Sequence, residues 1–363
     1  MFVTTTDDLT RILIMKNCGA QTKSFGRNEA TNIRDLTGIH GMSLIAILTS
    51  AFIANAVSSQ TQAAEATSTA DPSADTSSPD QKPTIDLPKK KNHTLSVSGD
   101  YFRASGDLGV VQRAALSAQT PQPVTAGTFS RDATYYGGTL SYSYGQAYFL
   151  DLSYNTGNSD GNSRSAVQVP AGDNTFDFRL RETFYQAYVR YVFPGQRARN
   201  PRLLPYVRAG ASLIESSLDG HTPELNNTSY KQESEIQDIL GNVGAGITYA
   251  FVTKPRLRLG VQLEAEGFYG HRSQDQTEHV IINGNDNVFS TPFGSSLFGG
   301  IARSTLQFEY RFGRTGLFRF FTDGGIQFKY TVVNYDVVSD DSQRSQKEPL
   351  WGPYARAGFR YSF

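Results

Sequence analysis

The amino-acid sequence predicts an all-β fold: a transmembrane, antiparallel, up-and-down β-barrel of about ten strands, with eight or twelve as the alternatives. Three observations predict it. From His93 onward apolar and polar residues alternate with a period of two, the mark of strands with one apolar face. The connections between those strands alternate between short and long. Aromatic residues gather where the strands end.

The chain before His93 reads differently. Spanning hydrocarbon as a helix takes roughly 20 mostly apolar residues, and the one comparable run, over residues 44–57, is shorter and broken by Thr49, Ser50 and Asn55. It is better read as the apolar core of a signal peptide for Sec secretion, preceded by Lys16, Lys23, Arg27 and Arg34 and followed by the small-x-small site Ala54-Asn55-Ala56. Residues 1–56 are therefore expected to be an N-terminal preface and signal peptide, cleaved after Ala56, with Ala63 and Ala64 as alternative sites and Met15 as an alternative start. Residues 57–92, rich in Ser, Thr, Ala, Asp and Pro and ending in Lys89-Lys90-Lys91, have too little apolar surface to offset their ordering entropy and are expected to be a disordered tether. The barrel is expected over 93–363.

Charge and cysteine content exclude several functions. Lysine plus arginine and aspartate plus glutamate both number 34, so no net field points to nucleic acid. The single cysteine, Cys18, lies upstream of the expected cleavage site, leaving no thiol for a disulfide or a cysteine-ligated metal.

The clearest strand runs over 256–269. Leu257, Leu259, Val261, Leu263, Ala265, Gly267 and Tyr269 share one face, and Arg256, Arg258, Gly260, Gln262, Glu264, Glu266 and Phe268 share the other. Read the same way, strands begin near Thr94, Ala133, Ala147, Phe176, Leu203, Asp238, Arg256, Gly300, Leu317 and Leu350. Short connections fall at Gly145 and over 194–202, 252–255 and 313–316, whereas 105–131, 155–175, 219–235, 272–298 and 334–348 read as long polar loops. That asymmetry, and an even strand number that returns both ends to one side, suit a membrane barrel.

A soluble β-sandwich would also alternate. The aromatic distribution favours the membrane. Tyr142, Tyr144, Tyr191, Phe193, Tyr249, Phe251, Phe308, Tyr310, Phe312, Phe318 and Phe320 flank the short turns, and Tyr101, Tyr136, Tyr154, Tyr269, Tyr330 and Trp351 lie toward the long loops. Two such bands separated by aliphatic residues mark the two interfaces of a bilayer, within which a closed barrel pairs every backbone group.

The final segment, Gly352-Pro353-Tyr354-Ala355-Arg356-Ala357-Gly358-Phe359-Arg360-Tyr361-Ser362-Phe363, resembles the closing strand of bacterial outer-membrane β-barrel proteins, a porin-like superfamily. Leu204-Pro205-Tyr206-Val207-Arg208-Ala209-Gly210 echoes it. The resemblance implies residence in the bacterial outer membrane, contact with its lipid, and an assembly signal at Phe359, Tyr361 and Phe363 that the barrel-assembly machinery reads.

The opposite face is rich in charge. Asp100, Arg190, Arg208, Arg256, Arg258, Glu264, Glu266, Arg303, Glu309, Arg311, Arg319, Asp323, Lys329, Arg356 and Arg360 are expected to line the lumen. One antiparallel register sets Arg258 against Glu309 and Glu264 against Arg303; a comparable one sets Asp323 against Arg360. Paired charges would fill a small lumen and leave a rigid scaffold, and unpaired arginines would favour a narrow porin-like passive channel for small anionic solutes. Adhesion or recognition through the long loops is a third reading.

An enzyme has little support in the sequence. Asp219-Gly220-His221 has the Asp-x-His spacing of the omptins, ten-stranded outer-membrane proteases, but no second acid pair accompanies it, and Asp-Gly suits a turn. His271 and His279 read as loop residues. Asn283-Gly284-Asn285-Asp286-Asn287 lacks the ordered acidic spacing of a calcium loop and reads as a tight turn. No catalytic residue, cofactor or metal is expected, and nothing in the sequence fixes an oligomeric state.

Overall fold

The computed structural model describes residues 93–113, 124–145, 147–164, 175–193, 202–224, 227–313, 316–338 and 344–363. The expected signal peptide and tether, 1–56 and 57–92, lie outside the described residues. Ten strands follow: β1 (His93–Arg113), β2 (Val124–Tyr144), β3 (Tyr148–Arg164), β4 (Thr175–Val192), β5 (Leu203–His221), β6 (Ser229–Thr253), β7 (Leu257–Ile282), β8 (Asn285–Phe312), β9 (Phe318–Tyr335) and β10 (Ser345–Ser362). Each pairs antiparallel with its sequence neighbour, and β1 pairs with β10 to close the ring.

The register fixes how the ring closes. Followed from Tyr144 through Tyr148, Tyr191, Val207, Ala245, Ala265, Ala302, Phe328, Trp351 and Ser105, the paired positions return to β2 at Asp132, displaced by twelve residues from Tyr144. A stagger of this kind requires tilted strands, typically by about 35–45°. Inward glycines admit close approach of the neighbouring strand's backbone. At Gly325 a Cβ would stand 1.9 Å from the backbone oxygen of Ser304 on β8.

Outward positions form a belt. Leu95, Val97, Leu140, Val207, Val243, Leu263, Leu306 and Ile326 are exposed although apolar, Val243 by 69%. From Leu257 to Tyr269 the outward face of β7 covers twelve residue steps, roughly 40 Å along the strand. At the tilt above this is roughly 30 Å along the axis, the thickness of a bilayer's hydrocarbon. Aromatic rings bound the belt at the turn end, where Tyr310, Phe312, Phe318 and Phe359 form a chain of contacts 5.2–5.6 Å apart. At the loop end stand Tyr101, Tyr136, Tyr154, Tyr269 and Trp351, all exposed.

The strands continue past this second band, which corrects the expected loops. Residues 272–298 are not a loop: β7 and β8 run on as a hairpin closed at Asn283 and Gly284, whose φ angles are 51° and 77°. β2, β6 and β10 likewise begin earlier than expected, at 124, 229 and 345, whereas β4 begins at 175, as expected near Phe176. Arg256 is corrected too. It sits exposed in the turn before β7 rather than in the lumen.

This extension is filled. One cluster joins Leu108, Val110, Phe129, Phe176, Phe178, Leu180, Leu218, Tyr230 and Val280; a second joins Val111, Ala126, Ile214, Leu240, Phe268, Leu297, Val333, Tyr335 and Val338. Val110 and Val111 belong to different clusters, and 108–112 are all buried. A strand buried on both faces has left the barrel wall. The tip of β1 folds inward across the mouth, and the Val111 carbonyl accepts hydrogen bonds from Gln276 at 2.9 Å and Gln232 at 3.2 Å on β7 and β6.

Candidate functional site

The lumen is built from the inward positions of all ten strands. Period-two alternation forces this, since once one face meets lipid the other must face inward. Asp100, Arg190, Arg208, Glu264, Arg303, Asp323, Arg356 and Arg360 line a cavity of about 230 Å³. Arg258 and Glu309 lie beside its turn-end mouth with Asp323 and Arg360, and Glu266 is buried behind Arg208.

Pairing across strands organises these charges. Glu264 accepts from Tyr206 at 2.6 Å, Arg208 at 2.7 Å and Arg303 at 2.5 Å. Arg208 also reaches Glu266 at 3.2 Å and stacks 3.7 Å over the Tyr188 ring. Tyr188 donates to Glu266 at 2.8 Å, which holds that carboxylate in place. On the closing seam Arg356 donates to Asp100 at 2.6 Å, and near the turn end Glu309 receives Arg360 at 2.8 Å and Arg319 at 3.3 Å. Removing one partner of the buried Arg208, Glu264 and Glu266 group would strand a charge away from water.

The registers of β7 with β8 place Arg258 opposite Glu309 and Glu264 opposite Arg303. On β9 and β10 the expected pair is corrected. Asp323 lies opposite Arg356, and Arg360 opposite Arg319, because β9 starts at Phe318 opposite Tyr361 and sets the register four residues away from the one expected.

Nearer the loop end stand ionic groups that the sequence reading missed. Arg131 and Tyr135 both donate to Glu182, Arg131 at 2.9 Å. Arg272 bridges Asp238, at 2.8 and 3.0 Å, and Glu348, at 3.0 and 3.4 Å. Above them Tyr230, Gln232, Gln274, Gln276 and Glu278 form a buried polar ladder. Most lie in stretches where outward neighbours are polar too, so hydropathy alternation is weak there. The only signal was a weaker one, inward amides against outward charges, as in Gln232 and Ser234 between Lys231, Glu233 and Glu235.

Charge is thus enclosed, and greasy side chains look outward around a ring with no open edge. The chain is built as a closed, ten-stranded β-barrel of the transmembrane kind. In this barrel both ends of the ring and the short turns share one rim, and the strand extensions rise from the other. Phe359 and Tyr361 sit exposed on the outward face of β10 and Phe363 just beyond its end, at the turn-end rim.

The other candidate residues are dispersed. Asp219 and His221 lie on the outward, exposed face of β5. His271 is also outward; His279 contacts Asp286 at 3.0 Å beside the Asn283-Gly284 turn. Among the described residues no group of three or more His, Cys, Asp or Glu is placed to hold a metal.

No protein-family model and no curated protein matches the sequence. Among solved structures, the barrel is similar to the outer membrane protease OmpT from Escherichia coli, at 10% identity and a TM-score of 0.41, over 75% of this chain and 97% of that one. It is also similar to the translocator domain of the autotransporter NalP from Neisseria meningitidis, at 12% identity and a TM-score of 0.35, over 74% of this chain and 88% of that one. A third similar structure is Neisserial surface protein A, at 13% identity and a TM-score of 0.23, over 74% of this chain and 97% of that one. The likeness is one of architecture.

Proposed function

We propose that this barrel is a non-enzymatic, sealed scaffold that spans the outer membrane and presents its extracellular strand extensions and loops, rather than an open pore. One observation carries the reading: the inward-folded tip of β1 and the two apolar clusters occupy the extracellular half of the lumen. Lipid contacts the outward belt, and the barrel-assembly machinery reads the C-terminal strand through Phe359, Tyr361 and Phe363. Adhesion or recognition is the role such a scaffold leaves to its rim.

The protease reading has less support. Asp219 and His221 face away from the lumen, on a surface that also carries Arg179 and Arg181. A narrow channel is the second reading, favoured by the charged cavity in the periplasmic half.

Planar-bilayer recording of the refolded protein separates the two. The sealed scaffold gives a silent bilayer, and replacing the β1–β2 tip with a two-residue Asn-Gly turn gives conductance. Stable anion-selective steps from the intact protein, reduced by Arg208→Gln or Arg303→Gln, would establish the channel instead.

A further inference from the structure

A net charge of zero hides an uneven distribution. The short connections, 145–147, 193–202, 254–256 and 313–317, carry Arg197, Arg199, Arg202, Lys254, Arg256 and Arg314 and no aspartate or glutamate. At the same end, inside the mouth of the barrel, arginines stand directly opposite one another: Arg311 on β8 faces Arg319 on β9, and Arg319 faces Arg360 on β10. Arg256 extends the row, its carbonyl accepting from the Arg311 amide at 2.8 Å. Like charges directly opposite on neighbouring strands are destabilising, so such a row calls for an offsetting anion.

Glu309 offsets part of it. Its carboxylate accepts from Arg360 at 2.8 Å, Arg319 at 3.3 Å and Arg311 at 3.4 Å. Counted over the adjoining strands, Arg258 on β7 with Arg311, Arg319 and Arg360 stands against Glu309 and, deeper in the lumen, Asp323. Arg356 is matched by Asp100, and the neighbour of Arg360 on β1 is Ser96. Four cations thus meet two carboxylates. The surplus is also reachable, since the side chains of Arg311, Arg319 and Arg360 are 34%, 23% and 31% exposed. Each guanidinium has five N–H donors. Besides the contacts to Glu309, the only donation these three make among the described residues runs from Arg319 Nε to the Gly316 carbonyl at 3.3 Å.

We propose that this mouth is a binding site for a soluble phosphate dianion, either inorganic phosphate or the terminal phosphate of a monoester, held by Arg311, Arg319 and Arg360 with Arg256 at the outer edge. A phosphate monoester carries about −1.5 to −2 charges at pH 7 and three strong acceptor oxygens. That charge matches a surplus of two cations, and the oxygens suit a line of planar donor forks. Acetate meets the donors without meeting the charge. Glu309 is a positioning residue, fixing one edge of each guanidinium and leaving the others for the ligand. The basic turns draw anions to the mouth from solution. Entry is from the water at the turn end, because the guanidiniums point into the lumen while Phe312, Phe318 and Phe359 occupy the lipid face at that height.

The test is isothermal titration of the full chain, refolded in zwitterionic detergent, with inorganic phosphate, glycerol 3-phosphate and acetate. Both phosphates are expected to bind saturably at one site, at least about tenfold tighter than acetate, and more weakly as sodium chloride is raised. Arg319→Gln, shown folded by heat-modifiable migration on gels, is expected to lose at least about tenfold in phosphate affinity, the worth of one hydrogen-bonded charge. Arg179→Gln, which removes an exposed arginine at the opposite end, leaves the affinity unchanged. If Arg319→Gln does not fold, Arg311→Gln, whose contact to Glu309 is the longest of the three, takes its place with the same expectation. The titration is repeated in nanodiscs of phosphatidylcholine with and without phosphatidylglycerol, where equal phosphate affinity is expected. No saturable phosphate binding, equal affinity for acetate, undiminished binding by the folded Arg319 or Arg311 variant, or an equal loss in Arg179→Gln would each overturn the proposal. So would loss of phosphate binding in the phosphatidylglycerol discs, which would assign the guanidiniums to lipid headgroups. None of these readouts depends on whether the loop-end mouth is closed.

Discussion

Arg272 is the position where the proposed closure of the loop-end half of the barrel can be measured as stability. Its guanidinium donates four hydrogen bonds to Asp238 and Glu348 and a fifth to Tyr335 at 3.3 Å. The Asp238 and Glu348 side chains are 8% and 5% exposed. Arg272→Met keeps an unbranched apolar stem and removes the cation that hydrogen-bonds both carboxylates, leaving them enclosed with only the more distant charges of Arg131 and Lys329. Breaking one buried pair in this way costs about 3–5 kcal/mol, and two acids share this arginine, so the upper part of that range is expected. Against a total stability of about 5–15 kcal/mol for an ordinary domain, such a loss is plain in a urea titration. Trp351 is the only tryptophan and sits on the lipid face, so its fluorescence reports folding into vesicles directly. Replacing all three groups, Arg272→Met with Asp238→Leu and Glu348→Met, should recover most of the loss, because an apolar trio of similar volume is near neutral. A single variant within about 1 kcal/mol of the parent would mean that water reaches these carboxylates, and the argument for a closed mouth would fail with it.

Other perturbations probe separate parts of the fold. Leu263 lies midway between Leu257 and Tyr269 on the lipid face, so Leu263→Arg should cost about 2–4 kcal/mol in vesicle unfolding; a cost near zero would remove the belt from the bilayer. Gly325→Val should abolish recovery of the heat-modifiable folded form, since even a Cβ meets the Ser304 backbone; normal refolding yield would show that β8 and β9 can part there. Removing Phe363 should lower the folded amount found in outer-membrane fractions while leaving refolding into detergent intact, and equal amounts would deny the last residue a part in assembly.

The strands that cross lipid were legible because hydrocarbon imposes the pattern. On β7, Leu257 to Tyr269 faces an apolar solvent and Arg258 to Phe268 an ionic interior, and the contrast alternates residue by residue. Beyond Tyr269 the outside is water, and the outward His271, Ser273, Asp275 and Thr277 are as polar as the inward Arg272, Gln274, Gln276 and Glu278. Hydropathy then carries no period, and a paired strand reads as a loop. For the same reason the lower lumen was found and the upper one was not. Glu264 and Arg303 stood out against leucine and valine, while Arg272 and Asp238 were lost among polar neighbours. The register between β9 and β10 was illegible for a different cause. Its connection is long, so nothing in the intervening residues fixes which arginine meets Asp323. The folding of the β1 tip into the mouth left no local trace either, since Leu108, Val110 and Val111 read like any apolar strand until their two separate packing partners are known.

The first strand has two mechanical duties, and they are coupled. It completes the ring against β10 through the Asp100 to Arg356 pair, and its far end, the proposed stopper, is tied to the same neighbourhood where Gly109 donates to Glu348 at 3.1 Å and Tyr335 donates to the Gly109 carbonyl at 3.1 Å. Unzipping the seam therefore withdraws the stopper, and withdrawing the stopper slackens the seam. Because the joined ends are the most distant parts of the wall in sequence, their union has the largest chain-closure entropy of any strand pair. In the sealed-scaffold reading, closing the wall and blocking its mouth are then one event.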